Sequence, residues 1–121
     1  MAVTAPLTSN RFPYLSVVVA ISGHEIRVEA LIDTGFDGHV IIPASLLANR
    51  AGSPQGMLRW RLGDGSEVSA PYYLGRVKLA GLDPGFPAII SILGEEPIIG
   101  RAFTNNFKLV LDHGQRVLAE A

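Results

Sequence analysis

The sequence of 121 residues contains no cysteine, which excludes a disulfide framework, a thiolate nucleophile and a zinc–thiolate site. Charged residues make up only 17% of the chain and the formal net charge is −1, without the dense basic run that nucleic-acid binding favours. The longest early apolar run, Leu15 to Ile21, is far too short for a membrane span. Residues 1–14 lack the pattern of a signal peptide. We therefore expect a cytoplasmic protein with no nucleic-acid or membrane partner.

What the sequence does contain is typical of an all-β domain. Hydrophobic residues make up 48% of the chain, enough to form one compact core at this length. Glycine occurs 13 times and proline 8 times, and these residues separate short β-branched runs. We expect a flexible N-terminal arm over residues 1–13 and a single domain over residues 14–121.

Alternation of apolar and polar residues places the strands. The predicted strands are Tyr14–Ile21, Glu25–Ile32, His39–Ile42, Met57–Leu62, Glu67–Leu79, Phe86–Leu93, Phe107–Leu111 and one from Arg116 to Leu118 or beyond. One or two helical turns are expected after Pro43, over residues 44–49, and a short helix over residues 101–106. The fourth and fifth strands form a long hairpin, because an Asp-Gly turn lies between them.

The most informative segment is Leu31-Ile32-Asp33-Thr34-Gly35, which occurs once. Two apolar residues lead directly into an acid, a hydroxyl residue and a glycine. This order delivers a carboxylate from the end of a buried strand onto a tight turn, where Thr34 can hydrogen-bond the turn and Gly35 relieves its backbone. Near the C-terminus, Pro97-Ile98-Ile99-Gly100 repeats the pattern of two apolar residues that meet a glycine.

Three parts of the sequence together resemble the retropepsin-like aspartic proteases: Ala30-Leu31-Ile32-Asp33-Thr34-Gly35, the glycine-tipped hairpin, and Ile98-Ile99-Gly100-Arg101. The stretch Asp33-Thr34-Gly35-Phe36-Asp37-Gly38 is most similar to the small bacterial members. The resemblance covers the chain from Tyr14 to Leu118. It implies an all-β, retropepsin-like closed barrel, half of a pepsin, with a flap hairpin and one short C-terminal helix.

The resemblance also implies an activity. Aspartic proteases are the standard case of two carboxylates that share one proton, because like charges in contact do not both ionise readily. A chain with one such motif supplies half of that pair, so the implied protein is a homodimer. It would be an aspartic endopeptidase that hydrolyses a peptide or protein substrate with a water activated between two Asp33 carboxyls. No cofactor or metal is required.

The implied site residues fall into three groups. The catalytic residues would be Asp33, Thr34 and Gly35; the substrate-binding residues Asp37, Gly63, Asp64 and Gly65; and the structural support Ile99, Gly100 and Arg101. Thr34 would bond the partner's matching loop. The hairpin from Met57 to Leu79 would be the flap that closes over substrate. An ion pair between Asp37 and Arg101 is predicted to brace the loop, because an arginine fork suits a carboxylate.

Some features depart from the family or stay open. Phe36 stands where viral members have a small residue, so its ring could narrow a substrate pocket or pack into the core. Either the Phe107–Leu111 strand or the last strand could form the dimer interface. We expect Glu95 and Glu96 to face water.

Two other interpretations remain. The chain could be a catalytically weak peptide-binding or dimerisation module with the same fold, or a monomer in which Asp33 only caps a turn.

Overall fold

The computed structural model of the protein describes residues 7–48 and 51–120. Their strands are β1 (Leu7–Ser9), β2 (Tyr14–Ile21), β3 (His24–Ile32), β4 (Val40–Ile42), β5 (Gly56–Arg61), β6 (Glu67–Leu79), β7 (Phe86–Ile92), β8 (Ile98–Ile99), β9 (Lys108–Asp112) and β10 (Arg116–Glu120). A 3₁₀ helix spans Ala44–Leu46, and the α-helix α1 spans Arg101–Thr104.

Seven strands form one sheet in the order β2-β3-β8-β4-β7-β6-β5. β2 also pairs with β6, in antiparallel register from Val17 opposite Leu79 to Ala20 opposite Arg76. This second pairing closes six strands into a barrel and removes their free edges. β5 pairs with β6 alone, so the β5–β6 hairpin extends from the barrel wall. The prediction of an all-β barrel with a protruding hairpin is confirmed.

The barrel core follows from strict alternation along β2. Leu15, Val17, Val19 and Ile21 are buried while the residues between them are partly exposed, since successive side chains of a strand point to opposite faces. α1 closes one side of the core with Phe103, which is fully buried.

A second sheet has the order β1-β10-β9. β1 pairs with β10 from Leu7 opposite Ala119 to Ser9 opposite Val117, and Leu7 packs against the main core. The expected flexible arm over residues 1–13 therefore contributes a strand in its described part, because it finds a pairing edge on β10. Residues 1–6 lie outside the described residues.

The predicted strands are present with small shifts of their ends, but β1 and β8 were not predicted, and the helical predictions differ in detail. The helical turns expected over residues 44–49 are a single 3₁₀ turn over Ala44–Leu46, and residue 49 lies outside the described residues. The helix expected over residues 101–106 ends at Thr104, where the Asn106 side chain bonds the carbonyl of Phe103. Within residues 7–48 and 51–120, no helix combines the length and apolarity needed to cross a bilayer.

Candidate active site

Asp33 begins a loop of seven residues, 33–39, which we call the Asp33 loop. It follows β3 directly, and β3 runs parallel to β8 with Ile32 opposite Ile99. The Asp33 N–H donates to the carbonyl of Ile99 at 3.0 Å, which continues the β3–β8 pairing by one residue. The acid is thus held at the carboxyl edge of two strands whose apolar residues fill the core.

The carboxylate of Asp33 is oriented by its own turn. The N–H of Gly35 donates to Oδ1 of Asp33 at 2.9 Å, and the N–H of Phe36 donates to the Asp33 carbonyl at 3.1 Å. Asp33 is half-buried, whereas Thr34 and Gly35 are exposed. The second carboxylate oxygen makes no hydrogen bond among the described residues, so it is free for a substrate, a water or a second carboxyl group.

The start of α1 is fastened to the Asp33 loop through backbone groups. The N–H of Gly100 donates to the carbonyl of His39 at 3.0 Å, the N–H of Arg101 to that of Phe36 at 2.9 Å, and the N–H of Ala102 to that of Gly38 at 3.1 Å. These three bonds, with the Asp33–Ile99 bond, define the position of the loop from its underside.

The predicted ion pair between Asp37 and Arg101 is wrong in this structure. Both side chains are exposed, and among the described residues neither belongs to a salt bridge. The loop is braced instead by the backbone of Arg101. Solvated charges at a loop end gain little from pairing, which is consistent with the absence of a salt bridge between them.

A cleft of 890 Å³ opens beside Asp33. Its size lies in the range of sites that hold drug-sized ligands. It is lined by Asp33, Gly35, Phe36, Asp37, Ile41, Arg59, Trp60, Arg61, Leu62, Gly63, Leu93, Gly94, Glu95, Glu96, Ile98 and Arg101. The floor therefore comes from the Asp33 loop and β8, one wall from the β5 arm of the hairpin, and the other wall from residues 93–96.

Two aromatic side chains meet in this cleft. The ring of Phe36 and the indole of Trp60 form an edge-to-face contact with centroids 5.0 Å apart. Trp60 also donates from Nε1 to Oγ of Ser91 at 3.0 Å, and Ser91 is fully buried. Phe36 therefore lines the cleft instead of joining the barrel core, which answers the question that the sequence left open.

The hairpin tip has its own closed turn. Oδ1 of Asp64 accepts hydrogen bonds from the Ser66 N–H at 2.9 Å and from the Ser66 hydroxyl at 2.6 Å. These bonds lower the pKa of the Asp64 carboxyl, and the bond from the Ser66 hydroxyl has the larger effect. Of the tip residues expected to bind substrate, Gly63 lines the cleft, whereas Asp64 and Gly65 do not.

Glu96 does not simply face water as expected. It is half-buried in the cleft wall, and the hydroxyl of Tyr14 donates a hydrogen bond to its Oε1. This bond is the main reason why the pKa of Tyr14 is raised. The contact fastens residues 93–96 to the start of β2. The residues around Glu96 could not predict this contact, because Tyr14 and Glu96 are 82 positions apart in the sequence.

Sequence reasoning also overlooked Ser91. Ser91 is a polar residue inside the otherwise apolar strand β7, and this placement could have indicated a buried hydrogen-bond partner. His39 accepts a hydrogen bond at Nδ1 from the Ile89 N–H at 3.3 Å, and burial lowers the pKa of its imidazole.

Solved structures share this architecture at low sequence identity. A retropepsin-like aspartic protease from Rickettsia conorii matches with a TM-score of 0.59 and 13% identity, over 97% of this chain and 96% of that chain. The protease of Simian Foamy Virus (mac) matches with a TM-score of 0.52 and 15% identity, over 76% of this chain and 91% of that chain. No protein-family model and no curated protein matches the sequence. The structural likeness identifies the fold: this chain has the retropepsin-like fold.

Proposed function

We propose that the protein is an aspartic endopeptidase that acts as a homodimer and hydrolyses peptide bonds with a water activated between two Asp33 carboxyl groups. One observation carries the proposal. A half-buried carboxylate, oriented by the Gly35 N–H, opens into a cleft large enough for a peptide segment and lies beneath a hairpin. The fold is consistent with this activity, because solved proteases share it.

The chemistry needs both carboxyls. In the shared-proton state, the ionised Asp33 takes a proton from the water, and the water oxygen attacks the peptide carbonyl carbon. The protonated Asp33 gives its proton to the carbonyl oxygen, so a neutral tetrahedral intermediate forms. The Asp33 that took the water proton then gives it to the amide nitrogen, while the other Asp33 removes a proton from a hydroxyl of the intermediate. The C–N bond breaks to release an acid and an amine, and one proton remains shared by the pair. The mechanism therefore requires one carboxyl of the pair to be protonated while the other is ionised.

The second Asp33 would come from a second copy of the chain, and the structure favours one C-terminal strand for the interface. β10 is paired on both sides, by β1 and β9, whereas β9 pairs on one side within the described residues. β9 also presents two exposed apolar residues, Val110 and Leu111, the latter 52% exposed. An unpaired edge with exposed apolar side chains favours strand-to-strand association across a twofold axis. The Thr34 hydroxyl, exposed and unbonded among the described residues, would then bond the partner's loop.

Substrate would bind in an extended conformation between the Asp33 loops and the two hairpins. Main-chain hydrogen bonds would supply affinity, and side-chain pockets along the cleft would supply specificity. Closure of the hairpins would exclude bulk water from the reacting bond. The expected cytoplasmic location stays a prediction.

The direct test compares the native protein with Asp33→Asn on an unspecific peptide library, from acid to neutral pH. Asparagine keeps the shape of the side chain but neither ionises nor donates the acid proton, so we expect cleavage to fall about 10⁴-fold. Asp83→Asn is the matched control, since Asp83 is an exposed turn residue outside the cleft. It should cleave like the native protein.

Equal cleavage by the native protein and Asp33→Asn would reject the proposal and assign the activity to another site or a contaminant. If neither protein cleaves while peptide still binds, the chain is a peptide-binding module. Light scattering of the same samples separates a dimer from a monomer in which Asp33 only caps a turn.

A further inference from the structure

The ring pair of Phe36 and Trp60 occupies volume next to the reacting group. Phe36 is three residues beyond Asp33, and its N–H bonds the Asp33 carbonyl at 3.1 Å. Its side chain lines the same cleft as Asp33. Trp60 reaches the same place from β5, the hairpin arm that forms one cleft wall. The two rings come from the floor and the wall and meet in the corner between them.

The rings have little freedom to move out of this corner. The Trp60 indole is held by its hydrogen bond to Ser91, a fully buried side chain on the barrel strand β7. Behind the rings lies Gly38, where a β-carbon would come within 2.5 Å of Cζ of Phe36 and 2.8 Å of Cη2 of Trp60. The rings thus already use the space that the absence of a side chain at position 38 provides.

From this packing, and resting on the proposed function, we propose that Phe36 and Trp60 restrict the substrate. The residue that lies against the ring pair must have a small side chain: glycine, alanine or serine. A larger side chain would have to displace the Phe36–Trp60 contact and the Trp60–Ser91 hydrogen bond. Its binding would therefore be weakened, as protein stability is when volume is added to a filled core. Because each copy of the chain brings one ring pair, the restriction applies once on each side of the cleaved bond.

The first experiment measures cleavage preference with a peptide library analysed by mass spectrometry. The native protein should favour small residues at one position on each side of the cleaved bond. Phe36→Ala removes one ring, so the preference for alanine over leucine at those positions should fall by about tenfold or more. Phe107→Ala is the matched control, because Phe107 is also a half-buried phenylalanine but lies outside the cleft. It should keep the native preference.

The second experiment does not depend on cleavage. Trp60 is the only tryptophan of the chain and lies in the cleft, so its fluorescence reports bound peptide. In the Asp33→Asn background, a peptide with alanine on both sides of the central bond should bind about tenfold tighter than its leucine counterpart. Adding Phe36→Ala should largely abolish this difference. Should that variant not fold, Phe36→Leu retains part of the side-chain volume and should reduce the difference by a smaller factor.

The two experiments keep the two proposals apart. Absent cleavage together with selective binding of the alanine peptide would remove the protease proposal and support the ring-pair restriction. Native cleavage or binding that favours large residues would overturn the restriction and leave the protease proposal standing. Equal selectivity in folded Phe36→Ala, or an equal loss in Phe107→Ala, would also overturn it. If neither peptide binds the Asp33→Asn protein, the restriction is rejected, since it requires a peptide in the cleft.

Discussion

Gly100 lies so close to Gly38 that a β-carbon at position 100 would come within 2.4 Å of the Gly38 carbonyl oxygen. The same β-carbon would be 2.4 Å from Cδ2 of Phe36 and 2.6 Å from the Phe36 carbonyl oxygen. The Asp33 loop and the start of α1 thus touch backbone to backbone, which is what allows their hydrogen bonds to form. Glycine is required at position 100 for space rather than for backbone conformation.

Gly100→Ala should therefore destabilise the protein by about 3 kcal/mol, because backbone atoms of the Asp33 loop cannot yield as a flexible side chain can. Urea unfolding measures this loss. Gly63→Ala is the matched control, since a β-carbon there meets nothing within 4 Å, and its stability should stay within about 0.5 kcal/mol of native. Equal stability of the two variants would contradict the close approach.

Asp37 and Arg101 should contribute to folding independently. Because their side chains are exposed and form no salt bridge among the described residues, Asp37→Ala and Arg101→Ala should have additive effects. We expect a coupling free energy of about zero, within about 0.5 kcal/mol, from a double-mutant cycle of urea unfolding. A coupling free energy above about 1 kcal/mol would show that the two side chains do interact, as the sequence predicted.

His39 should make stability depend on pH. Burial lowers the pKa of its imidazole in the folded chain, so the unfolded chain takes up a proton at higher pH than the folded chain. The free energy of unfolding should therefore decrease as the pH falls below about 6.5, the ordinary histidine value, and this contribution should level off below the folded-state pKa. His39→Asn keeps an acceptor for the Ile89 N–H without an ionisable group.

We expect His39→Asn to show a shallower decrease in this pH window, measured by urea unfolding at closely spaced pH values above the range where carboxyl groups titrate. Native and variant curves with the same slope would assign the pH dependence to other groups.

Leu111→Asp tests the proposed interface on β9. A charge placed on the edge strand would be buried without a partner on association, so the dimer dissociation constant should rise about a hundredfold. Leu74→Asp is the matched control: Leu74 is 58% exposed, against 52% for Leu111, and lies on β6 of the barrel. Sedimentation should show the control as dimeric as the native protein. Monomeric native protein at all concentrations would reject both the interface and the shared site.

Much of the fold could be predicted because its determinants are local. Alternation along β2 and β3 needs only neighbouring residues, and the Asp-Gly dipeptide marks the hairpin tip without reference to the rest of the chain. The Asp33 motif likewise predicts a turn, but the side-chain bond that forms it was assigned to the wrong residue: Oδ1 of Asp33, and not the Thr34 hydroxyl, bonds the turn by accepting from the Gly35 N–H. The strand over Leu7–Ser9 was missed because its partner, β10, lies more than 100 residues away in the sequence.

The sequence by itself determined which backbone could form at each place: apolar alternation for the strands, and an acid followed by a hydroxyl residue and glycine for the turn. The tertiary structure decided which side chains meet. Asp37 and Arg101, paired by analogy, form no salt bridge among the described residues. Phe36 contacts Trp60, Trp60 bonds Ser91, and Tyr14 bonds Glu96. The reason is that turn hydrogen bonds and side-chain alternation depend on residues a few positions apart. Contacts across the cleft depend instead on closure of the barrel and on the space left by Gly38 and Gly100, where the Asp33 loop meets its neighbours.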